Sequence, residues 1–419
     1  MAKKIILSAQ DYGVGFNGSS SIVNNGETPI GFGVLAGVQN FTVSENRNVE
    51  EDREISNPNI VDIQTTSISS SVDLTVHQEA NFSLEHMLWP SGSMLWGQTV
   101  EDAETTARTI TAADIATVNG IYKDIIFVTG GGKTSVLDYS YGDNDLQIVI
   151  APQAILESLS INASVDGVVS NTLRFTGDEW YYTDGEIIYV ERAEYVSESQ
   201  FVFNRVADTA DYSFGFILNG EYYDDSYISS VTANDTEHKT YVTLTSSMLA
   251  KGDLISVIIM PLASADFNGV QLVKGSNRGF LRRPKVKPVI YTCTADPLTA
   301  NYSRMIQNVT ITLNLNPSGE IYELYRRQGV YRDIASRWTV DVNIEFKDSV
   351  HVSMQDLENI GNGQCLALVL ENINTSAKTI YKATRLRLDT RSLNASVGAE
   401  GGASATYRAE NFAIEWLPS

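Results

Sequence analysis

The chain has 419 residues, with 51 acidic and 30 basic side chains and a formal net charge of −21 at pH 7. This length predicts two or three domains. No apolar stretch approaches the ~20 residues of a membrane-spanning helix, so we expect a soluble protein with no membrane insertion. The acidic excess disfavours ordinary nucleic-acid binding, whose affinity comes mainly from cations on phosphate.

The acidic excess is confined to the first two thirds of the chain. Residues 281–419 contain 16 basic and 14 acidic residues, which leaves 30 − 16 = 14 basic and 51 − 14 = 37 acidic residues in 1–280. The first residues, MAKKIILSAQDYG, have only a short apolar run after two lysines and predict no secretory signal.

Residues 1–37 are rich in glycine, serine and asparagine and are interpreted as an arm or a set of loops. From residue 38 onward the pattern alternates with period two in many short segments, which is typical of strands. Helical periodicity is scarce, and short helices are predicted at Phe82–Leu88, Thr111–Thr117 and Ser353–Asn359. The sequence therefore predicts an all-β protein with minor α content.

The segment IIFVTGGGKTSV, residues 125–136, resembles a phosphate-binding loop at first sight. In G-x-x-x-x-G-K-[ST] the first glycine would fall at Phe127, inside the apolar run, and the residues after Thr134 alternate instead of forming a helix. We interpret the segment as a hairpin with three glycines at its tip and Lys133 as a solvent or interface charge.

Residues 151–288 are acidic and rich in tyrosine. The stretch KTYVTLTSSMLAKGDLISVIIM predicts a strand, a connection and another strand, as at the end of an immunoglobulin-like sandwich. The segment ends at RGFLRRPKVKP, a proline-stiffened linker or a basic patch formed by Arg278, Arg282, Arg283, Lys285 and Lys287.

We find no pattern typical of catalysis, and we expect neither enzymatic activity nor a cofactor. The four histidines lack metal-ligand spacing, and Cys293 and Cys365 are expected to be two small buried residues without a disulfide. The acidic segments 177–186 and 219–227 could bind Ca²⁺ or a sugar. They lack the EF-hand pattern, so solvated turn carboxylates are the preferred interpretation, and no metal site is predicted.

An internal repeat is the most informative feature. VQNFTVSEN at Val38 aligns with IQNVTITLN at Ile306, and the same difference, 306 − 38 = 268, aligns VDLTV at Val72 with VDVNI at Val340. FSLEHML at Phe82 then matches VSMQDLE after a two-residue insertion. We predict a duplicated β domain, with copy 1 at 38–150, copy 2 at 289–419 and the immunoglobulin-like domain inserted at 151–288.

Both copies have one apolar and one polar strand face, because residues two apart in a strand share a face. The apolar face must be buried, whereas the polar face can contact water. Two such units in one chain suggest arcs of a ring whose sheets join across subunits, which also removes exposed sheet edges.

With these segments, the chain resembles the tail tube (major tail) proteins of long-tailed bacteriophages over residues 38–150 and 290–419. The resemblance implies stacked rings whose inner β-barrel conducts double-stranded DNA without binding it specifically. Family rings have six tube domains, so three chains, a trimer, would complete a ring. It also implies other tail proteins as partners (tape measure, terminator, baseplate and possibly a sheath) and a location in the virion, after assembly in the host cytoplasm.

The resemblance implies two sets of site residues. The polar residues predicted to line the lumen are Thr42, Ser44, Asp73, Thr75, Thr310, Thr312, Asp341, Asn343 and Glu345. Loops 46–59 and 316–329 are predicted to contact the next ring through Arg47, Glu50, Glu51, Arg53, Glu320, Tyr322, Tyr325, Arg326 and Arg327.

Two alternatives remain open. The chain could be another tail or baseplate protein, a tube-initiating hub or an adhesin, whose inserted domain binds a cell-surface glycan through aromatic residues such as Trp180 and Tyr222. A hydrolase or nucleotide-binding protein is the second alternative, which the loop at 125–136 disfavours.

Overall fold

The fold is described from a computed structural model. It describes residues 12–16, 30–53, 60–78, 84–89, 105–130, 146–177, 180–184, 189–262, 267–273, 285–301, 306–315, 320–322, 329–332, 338–346, 354–372, 376–394 and 402–418.

Strands dominate the described residues, as predicted. They are β1 Tyr12–Phe16, β2 Ile30–Leu35, β3 Val38–Arg53, β4 Ile60–His77, β5 Arg108–Thr111, β6 Tyr122–Gly130, β7 Leu146–Ser164, β8 Ser170–Gly177, β9 Tyr181–Asp184, β10 Tyr189–Ser197, β11 Gln200–Phe203, β12 Tyr212–Leu218, β13 Glu221–Tyr223, β14 Ile228–Asn234, β15 Lys239–Leu244, β16 Ile255–Pro261, β17 Phe267–Val273, β18 Val286–Tyr291, β19 Ile306–Asn314, β20 Glu320–Tyr322, β21 Gly329–Arg332, β22 Thr339–Phe346, β23 Cys365–Glu371, β24 Lys378–Thr384, β25 Arg387–Asn394, β26 Gly402–Ala409 and β27 Asn411–Leu417.

Four short helices and one 3-10 turn complete the described elements: α1 Leu84–Leu88, α2 Ala112–Ile115, α3 Val118–Ile121, α4 Met354–Ile360 and the turn Asp225–Tyr227. The three predicted helical segments are thereby confirmed. Helix α2 begins with a capping box, in which Thr111 and Asp114 satisfy each other's backbone N–H groups.

An eight-strand path forms the main sheet, in the order β25-β26-β22-β19-β7-β8-β4-β3. One apolar row crosses five consecutive strands through the paired residues Leu74, Leu173, Leu159, Leu313 and Val340. All five side chains are fully buried. Strict alternation in these strands therefore places every second residue in the core.

A second layer covers this apolar face. β1, β6, the first half of β7 and β9 pair on one side, and β18, β23, β24, β27 and β5 form a separate sheet on the other. Residues of both sets, such as Phe127 and Leu368, join helix residues Leu88 and Leu357 in one core cluster with the main sheet. The layers are thus packed around a common core.

The two halves of the chain pair their strands in the same registers. Gln147↔Asp184 in the first half corresponds to Thr379↔Trp416 in the second, since 379 − 147 = 232 and 416 − 184 = 232. The same difference relates Gln153 to a second residue with positive φ, since 153 + 232 = 385 and the φ values are 51° and 55°. At that point β7 bends between the layers, whereas the second half breaks between β24 and β25.

One predicted alignment needs a correction. Leu74 pairs with Phe41 and Leu173, and Ile344 pairs with Val309 and Ala405, so β4 corresponds to β22 at 344 − 74 = 270 rather than 268. The two additional residues therefore lie between β19 and β22. The predicted faces are unchanged, because a shift of two residues preserves the alternation.

The predicted arm at residues 1–37 contains strands. β1 pairs antiparallel with β6, and β2 pairs in parallel with β17. A Cβ atom on Gly13 would lie 2.7 Å from Cγ1 of Val34, so glycine here permits close packing of two strands. Glycine content alone had indicated loops.

The predicted boundary at residues 150/151 falls inside β7, and β8 continues the same sheet. Residues 189–261 form a seven-stranded antiparallel sheet in the order β13-β12-β16-β10-β11-β15-β14. Phe201 and Phe203 contact Phe216 and Phe214, with ring centroids 5.5 and 6.3 Å apart, although two strands separate β11 from β12 in the sheet. The sheet therefore folds over on itself around a core.

The two cysteines form a disulfide, contrary to the prediction. Cys293 and Cys365 are bonded across a sequence separation of 72, with their Cα atoms 5.2 Å apart. β18 pairs with β23 through Tyr291↔Cys365, which brings Cys293 beside Cys365. Spacing along the sequence could not show this proximity.

Candidate functional surface

The predicted lumen residues lie together on the polar face of the main sheet. The structure pairs Thr42 with Asp73, Thr310 with Asn343 and Thr312 with Asp341. Thr42, Ser44, Asn343 and Glu345 are exposed, and the other five are half-buried. The two predicted groups are separated by β7 and β8, which complete a continuous face.

Sequence analysis missed half of this face, because β7, β8, β25 and β26 had not been assigned to it. One polar row now crosses six strands through the paired residues Thr75, Thr172, Ser160, Thr312, Asp341 and Arg408. A second crosses six through Ser170, Asn162, Thr310, Asn343, Thr406 and Thr390. The alternation in SINAS and GASATYRA was the available signal.

Cations are present on this face, but carboxylates lie beside them. Nε of Arg174 lies 2.9 Å from a carboxylate oxygen of Glu157, and Nε of Arg408 lies 3.4 Å from one of Asp341. Asn314 also donates to Asp341, at 3.1 Å. The guanidinium groups are more than half exposed, so the ion pairs add little stability. Their main consequence is local neutralisation of positive charge.

Hydroxyl groups connect neighbouring strands on the same face. The oxygens of Ser160 and Thr312 are 2.9 Å apart across β7 and β19, and those of Ser44 and Ser71 are 2.7 Å apart across β3 and β4. Ser392 and Ser404 are also 2.7 Å apart, across β25 and β26. Such pairs stabilise strand neighbours without placing charge on the surface.

The predicted ring-contact loops are partly strands. Arg47, Glu50, Glu51 and Arg53 lie on β3, which continues to pair with β4 as far as Arg53↔Ile60. β4 pairs with β8 only from Ser70 onward, so the hairpin continues beyond β8 as a two-stranded arm. The alternation in IVDIQTTSISS supports this extension.

The second predicted contact region contains a smaller two-stranded pair. Glu320 on β20 pairs with Arg332 on β21, and Tyr322 also lies on β20. Tyr325, Arg326 and Arg327 lie outside the described residues. The glycine-rich connection at 131–145 also lies outside them, whereas β6 and β7 pair antiparallel on either side of it, from Gly130↔Leu146 onward.

The two aromatic residues proposed for glycan binding differ in exposure. Trp180 packs against the main core, whereas Tyr222 is 41% exposed and contacts Tyr181 with ring centroids 6.0 Å apart. Tyr182 and Tyr227 are also exposed, so the tyrosines, rather than Trp180, form the accessible aromatic surface.

Among the described residues, no group of three or more histidine, cysteine or acidic side chains is placed to hold a metal ion. In the same part of the chain, no helix has the length and apolar character needed to cross a membrane. No protein-family model matches the chain, and no curated protein matches it either.

Proposed function

We propose that this chain is the subunit of a bacteriophage tail tube, in which stacked rings enclose the channel that conducts DNA. The observation that carries the proposal is the continuous eight-strand sheet with one buried apolar face and one exposed polar face. Its two four-strand halves have matching registers, which supports an internal duplication of the tube domain.

The polar face has the chemistry that a DNA channel requires. Hydroxyls, amides and carboxylates dominate it, and the exposed Arg174 and Arg408 lie beside acidic partners. Such a wall offers few cations to neutralise the phosphates of a passing DNA and release its counterions, so the DNA is not retained. The proposed lumen therefore conducts DNA without binding it.

Three chains would supply 3 × 8 = 24 strands to a ring, arranged as six tube domains. The two-stranded arm of β3 and β4 would reach the next ring. The immunoglobulin-like insertion would decorate the outside, because it packs on the layer opposite the polar face. Tape measure, terminator, baseplate and possibly sheath proteins are the proposed partners in the virion.

Electron microscopy of the purified protein tests the proposal. We expect rings or tubes of uniform bore, and a strictly monomeric protein at high concentration would contradict it. Asn343 and Asp225 are both exposed, the first on the polar face and the second on the insertion. A heavy-atom label on Asn343→Cys should lie on the inner wall, and one on Asp225→Cys outside. The reverse arrangement would reject the lumen assignment.

A second candidate function is a tail or baseplate adhesin. The exposed Tyr182, Tyr222 and Tyr227 on and beside the insertion favour it, because aromatic rings can stack on sugars. Glycan binding that is lost in Tyr222→Ala, in protein that forms no tubes, would support this function over the first.

A further inference from the structure

Both ends of the eight-strand path are open edges within the described residues. There, β3 pairs only with β4, and β25 pairs only with β26. Leu393 on β25 is 44% exposed, although its neighbours along the sheet belong to a buried face. Open edges with exposed apolar residues invite pairing with another strand.

The strands equivalent to these two edges already pair once inside the chain. β7 pairs antiparallel with β19 at the centre of the path, through Ile161↔Ile311. Both side chains are 0% exposed. β19 corresponds to β3, since 309 − 41 = 268, and β7 corresponds to β25, since 391 − 159 = 232. The internal junction is therefore a template for joining the free edges.

We propose that β3 of one chain pairs antiparallel with β25 of a second copy, in the register of the internal junction. Val43 is the position equivalent to Ile311, since 311 − 268 = 43, and Leu393 is the position equivalent to Ile161, since 161 + 232 = 393. Because Ile311 pairs with Ile161, Val43 would lie opposite Leu393. Ser44 then lies opposite Ser392, and Glu45 opposite Arg391. The inference rests on the proposed ring and specifies which strands close it.

The side chains at this register are complementary. Leu393 would be covered as fully as Ile161 is, which removes an exposed apolar residue from water. Ser44 and Ser392 are each bonded to a neighbouring serine, so their contact would join Ser71, Ser44, Ser392 and Ser404 in one hydroxyl ladder. Glu45 would lie opposite Arg391, which already pairs with Glu358 at 2.9 Å, so the junction would place a second carboxylate beside this guanidinium.

Disulfide trapping tests the register. In protein carrying Ser44→Cys and Ser392→Cys, mild oxidation after assembly should give covalent oligomers on a non-reducing gel. Ser160→Cys with Thr312→Cys is the matched positive control, because their oxygens are 2.9 Å apart in the internal junction and should give an intrachain link. Ser44→Cys with Thr390→Cys is displaced by two residues and should link at least tenfold more slowly.

The outcomes separate this inference from the proposed function. Tubes that form without a Ser44–Ser392 link, while the positive control links, overturn the register and leave the tube function intact. Linked oligomers that never stack support the edge pairing and contradict the tube function. A chain that neither assembles nor links contradicts both.

A second variant tests the same edge without cysteines. Leu393→Asp should raise the concentration required for assembly at least tenfold, because a carboxylate would be buried at the junction. The residue is exposed in the single chain, so folding should be retained. Leu298→Asp is the matched control, since Leu298 is 40% exposed and lies in a turn after β18, on neither β3 nor β25. Equal assembly of the two variants would overturn the proposal.

Discussion

The outer layer shows how two equivalent half-chains are covered differently. Asp124 on β6 and Cys365 on β23 occupy equivalent positions. Ile126 of β6 pairs with Ile150, and Ala367 of β23 pairs with the residue equivalent to Ile150, Lys382, so β6 and β23 correspond with a difference of 367 − 126 = 241. The same difference relates Asp124 to Cys365, since 365 − 124 = 241. Each side chain accepts a hydrogen bond from the N–H of the positive-φ residue of its half. The same local position therefore carries two different connections to the covering residues, hydrogen bonds at Asp124 and a disulfide at Cys365.

In the first half the anchor holds the seven-stranded sheet of residues 189–261. Asp124 accepts from Gln153 N–H and from Ser256 Oγ, both at 2.9 Å. The Gln153 amide donates to Leu254 O at 3.0 Å and accepts from Gly220 N–H at 2.8 Å. These buried and half-buried bonds fix the seven-stranded sheet on the outer face of β6 and β7, whose apolar residues join its core.

In the second half a short segment covers the equivalent face. Cys365, Ala367 and Val369 of β23 share this face with Val289 and Tyr291 of the paired strand β18. Cys293 and Ala300, in the segment after β18, pack against it, and the disulfide joins Cys293 to Cys365. The comparison indicates that this face needs a cover in both halves of the chain, and that a disulfide strengthens the cover where it is only a short segment.

Removing the disulfide should have the largest effect on this comparison. Cys293→Ala should lower the free energy of unfolding by about 4 kcal/mol, because the bond constrains a long loop in the unfolded chain. Hydrogen exchange should accelerate in residues 285–301 and β23, but not in β6. Denaturant unfolding of the wild type under reducing conditions should match the variant. Exchange that accelerates equally in both halves would contradict the assignment of separate covers.

Lys123 provides a smaller, pH-dependent difference between the halves. The equivalent residue in the second half is Gln364, since 123 + 241 = 364. Burial, and to a smaller extent repulsion from Arg192, lowers the pKa of Lys123 to about 7. The unfolded chain keeps this proton until about pH 10. Between these values the unfolded state binds more protons, so stability rises with pH, and below pH 7 the contribution is constant.

Lys123→Gln, which introduces the residue of the second half, should remove this slope. Between pH 7 and 9 we expect the wild type to gain roughly 2 kcal/mol relative to the variant in denaturant unfolding. Lys251→Gln is the control, because Lys251 is exposed, and it should retain the wild-type pH dependence. A slope that persists in Lys123→Gln would assign the effect to another group.

Alternation of apolar and polar residues predicts which side chains of one strand share a face. It does not predict features that depend on residues distant in the sequence. Thr42 and Asp73 could be placed on one face because a period of two is visible in the sequence itself. The bend at Gln153 could not, because a positive φ at a residue other than glycine has no sequence signal. The consequence was a domain boundary inside β7, which hid Ser160 and Asn162 from the predicted polar face.

Composition predicts the wrong local structure at two further places. Glycines in β1 indicated loops, although Gly13 lies where β1 packs tightly on Val34. Two cysteines without a recognisable spacing indicated separate thiols, although strand pairing brings them together. In both cases the deciding contact joins residues that are distant in sequence, and no local pattern records it.

The smallest difference lies in the core behind the polar face. Tyr407 occupies the position equivalent to Phe175, since 175 + 232 = 407, and both are buried. Tyr407 donates a hydrogen bond from its hydroxyl to Leu357 O in α4, at 3.0 Å. Tyr407→Phe should therefore cost about 1 kcal/mol in denaturant unfolding, because one buried hydrogen bond is lost without a cavity. Leu357 O also accepts from Gly361 N–H, which limits the cost.

Tyr241→Phe is the control for this prediction. The Tyr241 hydroxyl donates to Glu237 at the exposed surface, so its loss should change stability by only a few tenths of a kcal/mol. An equal loss of unfolding free energy in the two variants would show that the buried hydrogen bond contributes no more than the surface one. The second half would then gain no stability from having Tyr407 where the first half has Phe175.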